Sequence, residues 1–383
     1  MAENKPHEKV ERKSNFKFLF NKSITKIKLD HANIGKIKGL DATATEFMGL
    51  VQKYCDQLIE LDAKTPDKNS ALPKTKTPLS VRWQRCAWRQ ACGIVQSWFS
   101  NERTNPPILS AVSIQADTNV AELKPSGVKS FDFWVKLATL EKGHPVLLPV
   151  KLYPKASQTL KKYPCLFTGL RLEKVDDEWY LTLVVGKESK KGEASGVVGV
   201  DIGMKSMVVT SEGVFAGEIS DKIRTRVEKS KEKFARKQKL NACLKKKGKQ
   251  PVGLTDKRVE SHVRNEAGRA INRMIRSLPA NSAVAVERLI VKDMRFKSRE
   301  MNRWLRASQL GFIHDRLKFK LDDAGIRYRS VQPAYSSQQC SACGYVYAGN
   351  RADQAHFCCK KCGFTANADF NASRNRRQTF WRR

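Results

Sequence analysis

The spacing of hydrophobic and polar positions changes several times along this chain, and each change predicts a new element. From Asn15 apolar and polar residues alternate (Phe16, Phe18, Phe20, then Thr25, Ile27, Leu29), the two-residue period of one or two strands. Residues 40–100 predict helices. Trp83, Ala87, Ala91, Ile94 and Trp98 recur at three- and four-residue intervals and mark one helical face. Between the helices, a polar stretch holding Pro66, Pro73 and Pro78 predicts a loop. Residues 131–185 return to strands, because FDFWVKL, PVLLPVKLY and WYLTLVV are rich in aromatic and β-branched residues. Asp176-Asp177-Glu178 stands where a hairpin would turn. Strand text on both sides of helical text predicts a small β-barrel over 16–30 and 116–192, interrupted by a helical insertion over 31–115.

Glu193-Ala194-Ser195-Gly196 is a linker, after which VVGVDIGMKSMVVTSEGVFAGEI (197–219) predicts a buried strand, a turn and two further strands. Residues 220–278 are helical and basic, SAVAVERL (282–289) is a short buried strand, and helical text continues to about 324. The chain closes with a cysteine-rich insert over 336–363 and a short helix. The expected fold class is α+β and multidomain: a β-rich N-terminal half, then an α/β domain over 193–335 and 364–383. Residues 1–15, polar and charged, are expected to form a mobile basic arm.

Charge changes this picture most. Seventy-two Lys and Arg against 38 Asp and Glu leave a net charge of +34, a self-repulsion that few metabolic enzymes carry. Nucleic acid is the expected partner, because each cation set against a phosphate releases condensed counterions. No apolar run is long enough to span a membrane, and the charged N-terminus lacks the apolar core of a secretory signal. The expected location is cytoplasmic, a reducing compartment that suits clustered cysteines.

Three carboxylates stand out. Asp201 ends the apolar run of Val197, Val198 and Val200, and Glu287 ends Ala283-Val284-Ala285-Val286. Burial of either without a partner would be costly. Taken alone, Asp201 reads equally as a cap on the next turn, and Glu287 as the partner of Arg288 or a nearby lysine. Together they stand where crevices form in open α/β sheets, and can offer hard oxygen ligands to divalent cations. Asp369 opens the last helix, where the macrodipole alone would favour an acid. Three acids in a basic protein suit phosphodiester hydrolysis by two Mg²⁺ ions. No Ser-His-Asp or Cys-His arrangement competes, and His314, beside Ile313 and Leu317, reads as a satisfied interior residue.

Five of the ten cysteines lie between 340 and 362. Cys340-x2-Cys343 and Cys359-x2-Cys362, fifteen residues apart, have the spacing of a structural zinc site with four thiolates, each pair followed by a glycine (Gly344, Gly363). Cys358 is a bystander by spacing. Cys55, Cys86, Cys92, Cys165 and Cys243 stand alone in apolar surroundings and are expected in cores. Residues 222–249 hold thirteen Lys or Arg against two acids, too lopsided for an ordinary solvated helix face. Arg224, Arg226, Lys229, Lys233, Arg236 and Lys237 are the expected phosphate contacts, joined by Arg374 from an arginine-rich tail that also carries Phe380 and Trp381.

GVDIG with Asp201, VAVERL with Glu287, AYSSQQCSACG (334–344) and FCCKKCGFTANADFNASRN (357–375) with Asp369 resemble the split RuvC nuclease domain of transposon-encoded TnpB proteins and of compact type V CRISPR nucleases. The motifs cover 197–375, about half the chain. The resemblance implies an RNA-guided DNA endonuclease with guide RNA and target double-stranded DNA as partners, in a prokaryotic cytoplasm and on the nucleoid when DNA is bound. It implies an RNase H-like core in which Asp201, Glu287 and Asp369 hold Mg²⁺, a zinc ribbon, and an N-terminal wedge and recognition region that reads a short motif beside the target. It also places 222–249 along the nucleic-acid channel near the active site. Three alternatives remain at this level: a nuclease-inactive RNA-guided regulator; a guide-free transposase or resolvase, since an RNase H-like fold with three carboxylates serves both; and a zinc-ribbon nucleic-acid-binding module with no enzymatic role, which leaves the strand-end acids idle.

Overall fold

The computed structural model describes residues 19–380 apart from 104, 189–190, 220, 254–256, 292–293, 333–334, 352 and 354. The segment 1–15, Phe16, Phe18 and Trp381 lie outside the described residues. The chain divides into two compact units, Met1–Glu188 and Ser189–Arg383. Among the described residues no helix is long and apolar enough to cross a membrane.

The first unit opens with strand β1 (Leu19–Lys28), then helices α1 (Ile34–Glu60) and α2 (Val81–Ser100). Asn33 and Ser80 cap them by accepting the free N–H groups of Lys36 and Trp83. The helices lock through edge-to-face pairs, Phe47 with Trp83 and Tyr54 with Trp88. Strands β2 (Ser113–Ala116), β3 (Ala121–Pro125), β4 (Phe133–Leu137) and β5 (Val146–Val150) follow, then α3 (Pro154–Lys162), β6 (Cys165–Val175) and β7 (Glu178–Glu188). They form two antiparallel sheets, β1-β7-β6-β2 and β3-β4-β5. The hairpin joining β6 to β7 turns at Asp176 and Asp177, both with positive φ (49° and 62°), as a two-residue turn matching strand twist demands. Gln90 of α2 ties itself to β2 by donating to the Ser113 carbonyl and accepting from the Gln115 N–H.

The second unit begins with an antiparallel meander, β8 (Gly196–Asp201), β9 (Ser206–Thr210) and β10 (Phe215–Glu218). Helices α4 (Asp221–Lys246) and α5 (Lys257–Ser277) lead to β11 (Ser282–Glu287), and α6 (Arg299–Ser308) and α7 (Leu310–Ala324) lead to β12 (Tyr328–Val331). The sheet order is β10-β9-β8-β11-β12, with β11 parallel to both β8 and β12. β12 has no counterpart among the predicted strands: Arg329 and Ser330 are exposed on it, so its text lacks a buried alternation. A small hairpin, β13 (His356–Cys358) and β14 (Thr365–Asn367), precedes helix α8 (Ala368–Thr379).

The alternation of side chains across β8 and β11 organises this unit. Val200, Val284 and Val286 join the larger core under α5, α6 and α7. Val197, Ala283 and Ala285 point to the other face, against which α8 packs. Gly199 lies on that face, and any Cβ there would collide with the backbone of Ser373 and lie 2.6 Å from the Arg377 nitrogen. Its missing side chain lets α8 approach the sheet. The isolated cysteines do not all sit in cores. Cys55, Cys86 and Cys92 are buried, Cys165 is half-buried, and Cys243 is exposed, since α4 presents it to solvent beside Lys245 and Lys246.

Candidate functional site

Two-residue alternation from Gly199 and Ala285 puts Asp201 and Glu287 on the α8 face of the sheet. Val200 pairs with Val286 in the parallel ladder, so the two acids are the next residues on neighbouring strands and lie side by side. Asp201 is 6% exposed and the Glu287 carboxylate 14%. Asp369 reaches the same face from the first turn of α8, whose start is fixed by Asn367 accepting from the N–H groups of Asp369 and Phe370. Its carboxylate is 15% exposed, with Arg351 at 3.7 Å.

Arg376 completes the group. Its guanidinium places Nη1 2.5 Å from Asp201 Oδ1 and donates from Nη2 to Glu287 Oε2 at 2.6 Å. Glu287 therefore pairs with Arg376, while Arg288 is exposed. His314 of α7 is buried and points Nε2 at the Glu287 carbonyl oxygen, 3.0 Å away. That nitrogen must carry a proton to donate, and burial together with Lys318 holds the imidazole pKa below its usual value.

The electrostatics are those of acids crowded out of water. Burial, reinforced by the Asp201 charge, raises the Asp369 pKa to about 6, against the pull of Arg351, Arg376 and Lys205. Burial also raises Glu287, partly offset by Arg376. Oxygen-only donors, two of which (Asp369 and Glu287) resist ionisation, fit a hard dication such as Mg²⁺. The three carboxylates do not draw together to within 4.8 Å of one another, and Arg376 spans two of them.

The four predicted zinc ligands do converge. Among the described residues Cys340, Cys343, Cys359 and Cys362 form the one group of three or more His, Cys, Asp or Glu whose ligand atoms all lie within 4.8 Å of one another. Cys358 is not in it. The two pairs are built alike: the N–H groups of Gly344 and Gly363 bond to the carbonyls of Cys340 and Cys359, with both glycines at positive φ (77° and 72°). Burial opposes the Cys359 thiolate, but the N–H groups of Cys362 and Lys361 and the neighbouring thiols bring its pKa down to about 6. The donor set is that of a structural zinc site.

Side chains that the sequence left unassigned join cluster to acids. Asn371 accepts the Ser341 N–H and donates to the Gln339 carbonyl. Asn375 donates to the carbonyls of Ser336 and Gln339. Asn371 and Arg376 were legible only as helix residues. The signal for Arg376 was its spacing, two turns after Asp369 and hence on the same face.

The expected phosphate contacts are divided between α4 and α8. Lys229, Lys233 and Arg236 are exposed on α4, while Lys237 donates to the Gly253 carbonyl. The side chains of Arg224 and Arg226 lie outside the described residues. Arg374 lies over the rings of Phe364 and Phe370 at 5.6 and 5.9 Å.

Comparison with known proteins gives this geometry a context. Residues 311–376 match the family described as Cas12f1-like, TNB domain. Over 63 residues, 16% of this chain and 15% of the relative, the sequence is 46% identical to the CRISPR-associated endodeoxyribonuclease Cas12f1 of Sulfoacidibacillus thermotolerans. Over 222 residues, 52% of this chain and 53% of the relative, it is 26% identical to InsQ of Escherichia coli (strain K12), provisionally named an RNA-guided DNA endonuclease. The chain thus matches about half the length of such curated relatives, or less. A cryo-EM structure of a Cas12f1–sgRNA–target DNA complex shares its fold, with a TM-score of 0.51 at 16% identity over 91% of this chain and 82% of that one. Sequence and fold together make this chain similar to the TnpB-like proteins and compact type V nucleases that its motifs resemble.

Proposed function

We propose that the protein is an RNA-guided DNA endonuclease with Asp201, Glu287 and Asp369 as its catalytic acids. One observation carries this reading: three acids from separate segments share one face of a sheet, beside a four-cysteine cluster in the segment that matches a Cas12f1-like domain. In this reading the sheet β10-β9-β8-β11-β12 is an RNase H-like core of the RuvC kind, over 193–335 and 364–383. The strands of 16–30 and 116–192 belong to a wedge barrel, 31–115 to a recognition insertion, and 336–363 to a zinc ribbon.

The acids would hold two Mg²⁺ ions, which when bound supply the activation of water and the stabilisation of the leaving 3′-oxygen. The chain's own residues do the positioning. Register in the ladder sets Asp201 beside Glu287, Gly199 lets α8 bring Asp369 to them, and Asn371 and Asn375 fasten the cysteine cluster, holding one structural Zn²⁺, to the same helix. Exposed Lys229, Lys233 and Arg236, with Arg224, Arg226, Lys237 and Arg374, would contact phosphates. Guide pairing would supply sequence specificity while the protein grips the A-form heteroduplex by shape and charge. Such a protein works where DNA lies, in a reducing compartment that keeps ten cysteines as thiols and thiolates.

The test uses the full chain purified with its own nucleic acid. A defined co-purifying RNA, and Mg²⁺-dependent cutting of DNA matching that RNA, are expected; Asp201→Ala retains target binding and loses cutting. Absence of a defined RNA would favour a guide-free transposase or resolvase. A second reading, an RNA-guided regulator that binds without cutting, is favoured by the guanidinium already paired with Asp201 and Glu287. Target bound but left whole in Mg²⁺ and Mn²⁺ decides for it.

A further inference from the structure

Helix α8 brings opposite charges to one place. Asp369 and Arg376 stand two turns apart, on the face that packs over Gly199 and Ala285. Arg376 is 4% exposed, and its ion-pair partners among the described residues are Asp201 and Glu287. Nε makes no hydrogen bond, and Nη1 faces Asp201 at ion-pair distance without hydrogen-bond alignment.

We propose that Arg376 competes with divalent cations for the Asp201–Glu287 pair, so that metal entry requires the guanidinium to leave at least one of the two carboxylates. The proposal rests on reading the three acids as a metal site, and adds a residue that sets how readily that site fills.

Three features support it. Two buried carboxylates side by side need a positive charge between them, and in this chain a covalently attached one already supplies it. The planar guanidinium spans two acids at once, donating to Glu287 while facing Asp201 at ion-pair distance. A dication using the same oxygens would meet a like charge at contact distance in a site shielded from water. Arg376 also has little freedom to retreat. The backbone of α8 is seated on Gly199, which leaves rotation of the side chain as its exit.

The experiment measures Mn²⁺ binding to the zinc-loaded full chain by electron paramagnetic resonance, without nucleic acid, so that cutting is not the readout. Arg376→Met, an unbranched apolar side chain of similar reach, is expected to bind Mn²⁺ at least tenfold more tightly than the natural protein. Its melting temperature is expected to be lower without Mn²⁺ and to rise further when Mn²⁺ is added. Arg376→Lys keeps one charge but loses the planar fork, and is expected to tighten binding by a smaller factor. Equal or weaker binding in a folded Arg376→Met overturns the proposal and makes Arg376 a fixed strut between the acids. Should Arg376→Met fail to fold, Arg376→Lys decides: tighter binding supports competition and unchanged or weaker binding overturns it. The underlying reading fails differently. In that case Asp201→Asn leaves Mn²⁺ binding unchanged, or no Mn²⁺ binds to any of the proteins.

Discussion

Helices α4 and α8 are both rich in basic residues, yet they use them in opposite ways. Val227 is the one buried side chain among those described on α4, and Lys229, Lys233 and Arg236 stand in solvent. On α8 the buried side chains are mostly polar, Asn371, Ser373, Asn375 and Arg376. A charge left in water adds a little to a long-range field and is screened by salt. A charge taken out of water must have a particular partner, and loss of either member is felt locally and strongly. The charge runs look alike as text. They differ because Gly199 makes room for one helix against the sheet, while among the described side chains of the other only Val227 is buried.

The contrast can be tested by substitution on each side. The largest effect is expected from Asp369→Asn on α8. Cutting of guide-matched target falls by at least about a hundredfold, the scale for losing one group that stabilises transition-state charge, while target binding is retained in a gel-shift assay. Gly199→Ala comes next. The new methyl meets the backbone of Ser373 and Arg377, which cannot rotate away, so destabilisation of about 3 kcal/mol is expected in chemical denaturation. A substitution tolerated without loss would mean that α8 does not depend on this close approach. Asn371→Ala leaves the Ser341 N–H without its partner and the Gln339 carbonyl with Asn375 as its remaining donor. A loss of about 1–2 kcal/mol is expected, with faster amide exchange confined to 336–345. Smallest in stability is the α4 triple change Lys229→Ala, Lys233→Ala, Arg236→Ala. Stability should shift by no more than about 0.5 kcal/mol, while the slope of log affinity for nucleic acid against log salt becomes shallower by about 2–3. An unchanged slope would remove α4 from the phosphate contacts and leave its charge unexplained.

The motif text located the acids and cysteines for definite reasons. Asp201 and Glu287 end runs too apolar to be anything but buried strands, so their position at strand ends followed from pattern alone. The cysteine pairs carry their geometry in their spacing, because a CxxC followed by a glycine closes a tight knuckle whatever surrounds it. Asp176 and Asp177 marked their hairpin because the turn requires residues that tolerate positive φ. Where short-range pattern is weak, the elements depart from it. β12 exposes Arg329 and Ser330 and is a strand through its ladder with β11. Cys243 looked like a core residue, yet it lies on a helix whose described side chains are mostly in solvent.

What the sequence determined by itself are the features set within a few residues: most strands and helices (β12, and α3 within the stretch 131–185 expected to be strand, excepted), where the acids end their strands, and how four thiols are spaced. Tertiary structure decided the partners. Arg376 pairs with Asp201 and Glu287 across 175 and 89 positions of chain, and Asn371 holds Ser341 across 30. Such contacts depend on a helix seating against a sheet, and seating is decided by the fit of surfaces distant in sequence, which no local pattern records.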